Sequence, residues 1–138
     1  MNKNHHKPIN ILLVDDSIFI RKALKNVLKP EDKVIVLAEA GDAQVTLEII
    51  ERGFEGIVVM DINSPESGGI KTIRRIKKIR PTLPVIVLSF QSDIRYLQES
   101  FKAGASGYVL KERAYEDLRE AIRSVADQTN FISIALVP

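Results

Sequence analysis

Three carboxylates, one hydroxyl and one amine stand directly behind short apolar runs of this chain. Asp15 and Asp16 follow Ile9–Val14, Asp61 follows Gly56–Met60, Ser89 follows Pro84–Leu88 and Lys111 follows Gly107–Leu110. Carboxylates gathered in one place raise one another's pKa unless a cation compensates. The chain has no cysteine and no suitably placed histidine, so the remaining donors are hard oxygens, the set that suits Mg²⁺ or Mn²⁺. Magnesium held by one or two carboxylates, keeping several waters, is the usual companion of a phosphate group. Lys111 would add a point positive charge and Ser89 a hydrogen-bond donor for a phosphate oxygen. Such a site makes a carboxylate a nucleophile toward phosphorus, giving an aspartyl phosphate, while metal and lysine spread the charge of the in-line transition state.

Taken singly, each residue has a plain structural reading. Asp16 or Ser17 would cap a helix, Asp61 would be a turn residue ahead of Asn63-Ser64-Pro65, Ser89 a loop hydroxyl and Lys111 a solvated charge. What gathers them is the arrangement of the elements. The four apolar runs above and a further one at Val34–Ala38 alternate with stretches whose apolar residues recur at helical spacing. The first helix carries Ile20, Leu24, Val27 and Leu28 inward and Arg21, Lys22 and Lys25 outward, ending before Pro30. The second turns Ala43, Leu47 and Ile50 inward and closes near Gly53, a C-cap position. The third runs from Gly69 to Ile79, the fourth from Asp93 to Lys102, and the fifth from Tyr115 to Asp127.

Strands alternating with helices predict a parallel sheet covered on both faces. Right-handed crossovers leave few topologies, and a doubly wound five-stranded sheet of order 2-1-3-4-5, the flavodoxin-like arrangement, fits best. Ligands of such sheets bind outside the carboxyl ends of the strands. Strands one, three and four are then neighbours, with five beside four. All of the candidate residues fall on that one edge.

Composition narrows the function further. A chain of 138 residues, 45% hydrophobic and 28% charged, suits one ordinary domain that buries a core without disulfide or metal. The apolar runs are too short to span a bilayer, the polar start lacks the apolar segment of a signal peptide, and a cytoplasmic location is expected. Twenty Lys and Arg against 18 Asp and Glu leave a net charge of +2, which gives no general attraction to nucleic acid. His5 and His6 form a pair without a third ligand nearby in sequence. The basic third helix (Lys71, Arg74, Arg75, Lys77, Lys78 and Arg80) reads as a solvated outer face.

The stretches Ile11-Leu12-Leu13-Val14-Asp15-Asp16-Ser17, Met60-Asp61-Ile62-Asn63-Ser64-Pro65 and Ala103-Gly104-Ala105-Ser106-Gly107-Tyr108-Val109-Leu110-Lys111 resemble the receiver domain of bacterial two-component response regulators. Lys111-Glu112 after Gly-Tyr-Val-Leu is similar to the NarL/FixJ-type regulators with a LuxR-type output. The resemblance implies that Asp15, Asp16 and Asp61, with the backbone carbonyl of Asn63, hold Mg²⁺. It implies that Asp61 is phosphorylated by a sensor histidine kinase and that Ser89 and Lys111 contact the phosphoryl group. It also implies a switch in which Ser89 moves to the phosphate and Tyr108 turns inward. A homodimer is compatible with it, and DNA contact would fall to an output domain that is not in this chain. Truncation just past a linker would account for the end at Pro138.

Residues 1–8 are read as a flexible tail, 9–128 as the receiver domain and 129–138 as the start of a linker or C-terminal extension. Three positions depart from the common pattern: Glu112 in place of proline, Ser64 in place of an apolar residue, and the bulky Phe90 after Ser89. Phe90 would narrow access to the site, slow water attack on the acyl phosphate, or point away. Gln91 and Asn63 flank the expected water path. The alternatives are a degenerate receiver acting as a phosphorylation-independent interaction or dimerisation module, and an aspartyl-phosphate phosphatase. Asn63, standing where a second acid would be needed, argues against the phosphatase. A flavodoxin is disfavoured because Asp15-Asp16 would repel its phosphate.

Overall fold

The computed structural model describes residues 7–64, 66 and 68–133. His5, His6, Pro65 and residues 134–138 lie outside the described residues. Among the described residues, six parallel strands form one sheet: β1 (Ile9–Val14), β2 (Val34–Ala40), β3 (Ile57–Asp61), β4 (Val85–Ser89), β5 (Gly107–Leu110) and β6 (Phe131–Ile132), in the order β2-β1-β3-β4-β5-β6. Five helices connect them: α1 (Ile18–Val27), α2 (Ala43–Glu51), α3 (Gly69–Ile79), α4 (Ile94–Ala103) and α5 (Ala114–Ala126). The 2-1-3-4-5 order expected from the alternation is therefore present, extended by a short sixth strand that the unpatterned segment after residue 129 did not announce. No helix among the described residues is long and apolar enough to cross a membrane.

Local chemistry sets the helix ends. Ser17 caps α1, its Oγ accepting from the Ile20 N–H, and Asp42 and Asp93 cap α2 and α4 in the same way. Gly104 closes α4 in the left-handed region at φ 116°. All residues of β3, β4 and β5 are buried, as expected of central parallel strands covered on both sides. Their side chains alternate between two cores. Leu12, Val14, Met60 and Tyr108 pack with Leu47, Ile50, Ile73 and Ile76 on the α2–α3–α4 face. Ile11, Leu13, Val59 and Val109 pack with Leu24, Leu118 and Ile122 on the α1–α5 face. Each such fully buried Leu or Ile contributes roughly 2 kcal/mol of transfer free energy. The strand ends that carry the site are thereby held from both sides.

Several strand boundaries differ from the expectation: β2 runs on to Ala40 rather than Ala38. β3 and β4 run to Asp61 and Ser89 themselves, because the ladder continues one residue past the apolar run: the Ile62 N–H still donates to Leu88 O at 3.1 Å. Arg21, placed outward by helical spacing, is half-buried and paired.

Candidate functional site

Strand register decides which residues meet. Val14 pairs with Met60, which sets the next residues, Asp15 and Asp61, abreast. Asp61 pairs with Leu88 and Ser89 with Leu110, so Ser89 and Lys111 stand just above the two carboxylates. Asp15 is 1% exposed and Asp61 3%. Lys111 reaches over them, its Nζ 2.9 Å from Asp61 Oδ2 and 3.6 Å from Asp15 Oδ2. Each carboxylate also receives a backbone N–H from two residues on: Ser17 to Asp15 Oδ1 at 2.9 Å, and Asn63 to Asp61 Oδ1 at 2.8 Å. Asp16 is exposed but close. Asp15, Asp16 and Asp61 each offer an oxygen within 4.8 Å of the others.

The electrostatics are unbalanced. Burial pushes the Asp15 carboxyl above the ordinary carboxylate range. The Ser17 N–H and the Lys111 charge oppose this, and Asp61 and Asp16 add to it. Hydrogen bonding, first from Ser64 and then from Glu66 and Asp15, holds Asp16 below that range against its own desolvation. Ser64 is buried, its Oγ donating to Glu66 Oε2 at 3.0 Å. Among the described residues, Asp15 Oδ2 is buried without a hydrogen-bond partner. An orphaned, desolvated carboxylate oxygen beside two further carboxylates, faced by one amine, is a donor set suited to a small hard divalent cation. The residues present therefore fit the metal that the sequence implied.

Around this cluster lies a hydrogen-bonded rim. Ser89 is fully buried, and its Oγ accepts from the Gln91 N–H at 2.9 Å. Tyr108 is fully buried too, its hydroxyl donating to Gln91 O at 2.8 Å. Burial raises the Tyr108 phenol pKa, and hydrogen bonding with Ser89 works the other way. Asn63 joins the two loops: its Oδ1 accepts from the Phe90 N–H at 2.8 Å. The Phe90 side chain is 60% exposed, with the Lys111 amine 4.7 Å from its ring centroid. The ring thus neither plugs the cluster from within nor packs away from it. It covers the lysine from the solvent side, at a cation–π distance.

Sequence reasoning brought together Asp15, Asp16, Asp61, Ser89 and Lys111, and the fold does unite them. It missed Arg21, whose guanidinium donates to the backbone carbonyl of Asp15 and to Glu39 Oε1 on β2, where Lys25 joins it. It marked Ser64 only as a departure from the common pattern and missed the link of Ser64 and Glu66 to Asp16. No spacing signal marks these residues, because their roles depend on which loops the sheet places side by side.

Residues 11–123 match the family described as response regulator receiver domain, and the chain belongs to that family. It is 34% identical over 124 residues to the transcriptional regulatory protein DegU of Brevibacillus brevis, covering 90% of this chain and 52% of that protein. It is 27% identical over 135 residues to the nitrate/nitrite response regulator protein NarL of Escherichia coli, covering 98% of this chain and 62% of that protein. The solved structure of a two-component response regulator of the LuxR family from an Aurantimonas species matches with a TM-score of 0.88 at 28% identity, covering 94% of this chain and 93% of that one. The chain spans about half the length of the curated relatives it matches. It is a receiver of two-component signalling with NarL/FixJ/LuxR-type relatives.

Proposed function

We propose that this domain is a phosphorylation-activated switch, with Asp61 as the residue that accepts the phosphoryl group. The observation that carries the reading is the Asp61 carboxylate, buried yet faced by Lys111 at 2.9 Å, beside the orphaned oxygen of Asp15. Asp15, Asp16 and Asp61, with the main-chain carbonyl of Asn63, would hold Mg²⁺ or Mn²⁺. The metal, when bound, offsets the three carboxylate charges and draws charge from the phosphoryl oxygens. The Asp61 carboxylate then attacks phosphorus. The new O–P bond forms as the bond to the donor, a phosphohistidine of a sensor histidine kinase, breaks and the imidazole leaves. Lys111 stabilises the added negative charge.

Ser89 and Tyr108 form the switch in this reading. Both are tied to Gln91, one through its N–H and the other through its carbonyl. Redirecting the Ser89 hydroxyl to a phosphoryl oxygen frees the Gln91 N–H, and the loop that Tyr108 holds must re-pack. The ring already lies inside, so the moving part is the 90–93 loop together with α4. Phe90, Asn63 and Gln91 tune access and the lifetime of the acyl phosphate. That relatives are named transcriptional regulatory proteins supports an output that acts on transcription; in this proposal it runs through a DNA-binding helix-turn-helix beyond this chain, with a homodimer as the active form and a cytoplasmic location.

Incubation with Mg²⁺ and beryllofluoride, followed by NMR, tests the reading. The expected result is a saturable shift of the resonances of Asp61, Ser89 and Lys111 in the wild type and none in Asp61→Asn. Identical spectra of both proteins throughout the titration would reject the switch in favour of a phosphorylation-independent interaction module.

A further inference from the structure

The chain leaving α5 does not simply depart from the domain. It turns at Gln128, which adopts a left-handed φ of 64°, and adds β6 alongside β5. The Phe131 N–H donates to Ser106 O at 3.1 Å and the Ser133 N–H to Tyr108 O at 3.0 Å. Ser133 is 0% exposed. Its Oγ accepts from the Leu110 N–H at 3.0 Å and donates to Asp117 Oδ2 at 2.7 Å. Asp117 is itself gripped at both oxygens by Arg113, at 3.0 and 3.2 Å. One buried hydroxyl thus ties together the last residue of β5, the first turn of α5 and the exiting chain. The residue directly after Leu110 is Lys111.

We infer that Ser133 is a positioning residue for the phosphoacceptor site: it holds the carboxyl end of β5 so that the Lys111 amine faces Asp61. The inference rests on the proposed role of Asp61 and adds a residue from beyond α5 to the machinery. A lysine on a four-carbon stem is flexible, so the direction of its amine depends on where its backbone is fixed. Leu110 is fixed on the β4 side by the ladder, where it pairs with Ser89. On the opposite side its N–H is met by the Ser133 hydroxyl. Removing that hydroxyl leaves the buried Leu110 N–H without its partner and Asp117 Oδ2 with Arg113 alone, and the strand end shifts to recover the lost bond. Coupling of this kind is reciprocal. A phosphoryl group that draws on Lys111 acts on Ser133 as well, and through it on the chain that leaves α5.

The test uses the whole chain. Ser133→Ala removes one oxygen, and its beryllofluoride affinity, measured in Mg²⁺ by NMR titration, is expected to fall about tenfold, the size of one buried group left unpaired. Its Mg²⁺ affinity in the absence of fluoride should stay within about twofold of wild type, because the acidic ligands are untouched. A general loss of structure would lower both affinities together, and that result overturns the inference. If Ser133→Ala does not fold, Asp117→Asn keeps the shape and removes the charge, and it should show the same selective loss at about threefold. A variant that captures beryllofluoride as well as the wild type sinks the inference alone. A wild type that captures none sinks the proposed role of Asp61 and this inference with it.

Discussion

The two edges of this sheet present opposite surroundings. At the carboxyl edge, Asp15 and Asp61 are buried almost completely with one amine between them, and among the described residues Asp15 Oδ2 has no hydrogen bond. At the amino edge lies a cavity of about 710 Å³, bordered by Asn10, Gly56, Lys77, Thr82, Ser106 and Asn130. It is roomy and partly polar, yet its one lysine is spent on structure: the Lys77 amine donates to Leu83 O at 2.8 Å, and burial lowers its pKa. Backbone crowding, not charge, rules there. A Cβ added to Gly56, at φ 150°, would lie 2.1 Å from Asn10 O. The lesson is that chemistry sits where desolvated charges converge without satisfying one another, and space alone does not make a site.

The comparison breaks most sharply on the phosphoacceptor. Asp61→Asn should abolish labelling by a small phosphodonor, read as the loss of the added phosphoryl mass, while Thr82→Val at the opposite edge labels like the wild type. Next in size is Lys111→Met. Its beryllofluoride affinity should fall up to about a hundredfold, the upper size of one lost hydrogen bond to a charged group. The metal-free protein should lose roughly 3 kcal/mol in urea denaturation at neutral pH, because buried carboxylates are left uncompensated; added Mg²⁺ should return part of it.

At the amino edge the expected damage falls on stability alone. Gly56→Ala should cost roughly 2 kcal/mol, from a strained left-handed backbone and a clash with a carbonyl, with the metal affinity of the folded fraction unchanged. The smallest effect concerns Glu39, whose carboxyl is held below its ordinary range by hydrogen bonds from Lys25 and then Arg21. A lowered native pKa means stability that is present above the unfolded value of about 4.5 and lost as pH falls through the native one. Glu39→Gln should therefore lower stability at pH 7 by less than about 1 kcal/mol. Its stability profile should also flatten below pH 4.5 relative to wild type, as chemical denaturation across pH would show.

Much of the site was legible because parallel-sheet physics is simple. An apolar run of four to six residues is a buried strand, and the residue next in the chain must emerge at the carboxyl edge, so Asp15, Asp61 and Lys111 could be placed from order alone. The cap at Ser17, one of the two candidates at that helix start, was equally local. Phe90 was different: the sequence left open whether its ring stands over the site or points away, and its position over Lys111 goes with the hydrogen bond that Asn63 Oδ1 accepts from its backbone N–H. Arg21 was misplaced for a similar reason. Helical spacing reports which face a residue occupies, and a long side chain at the edge of that face still reaches Glu39 and the Asp15 carbonyl.

Alone, the sequence determined the alternation of strands and helices, the strand order, and the identity of the charges brought to one edge. These follow from periodicity and from the handedness of the chain, both of which are local properties. Tertiary structure alone decided which oxygen is orphaned, how deeply Asp15 is buried and that Tyr108 lies inside. It also decided that Ser133 closes the sheet beside Leu110. Those facts depend on register and on contacts between residues far apart in the chain, and no pattern within a single segment encodes them.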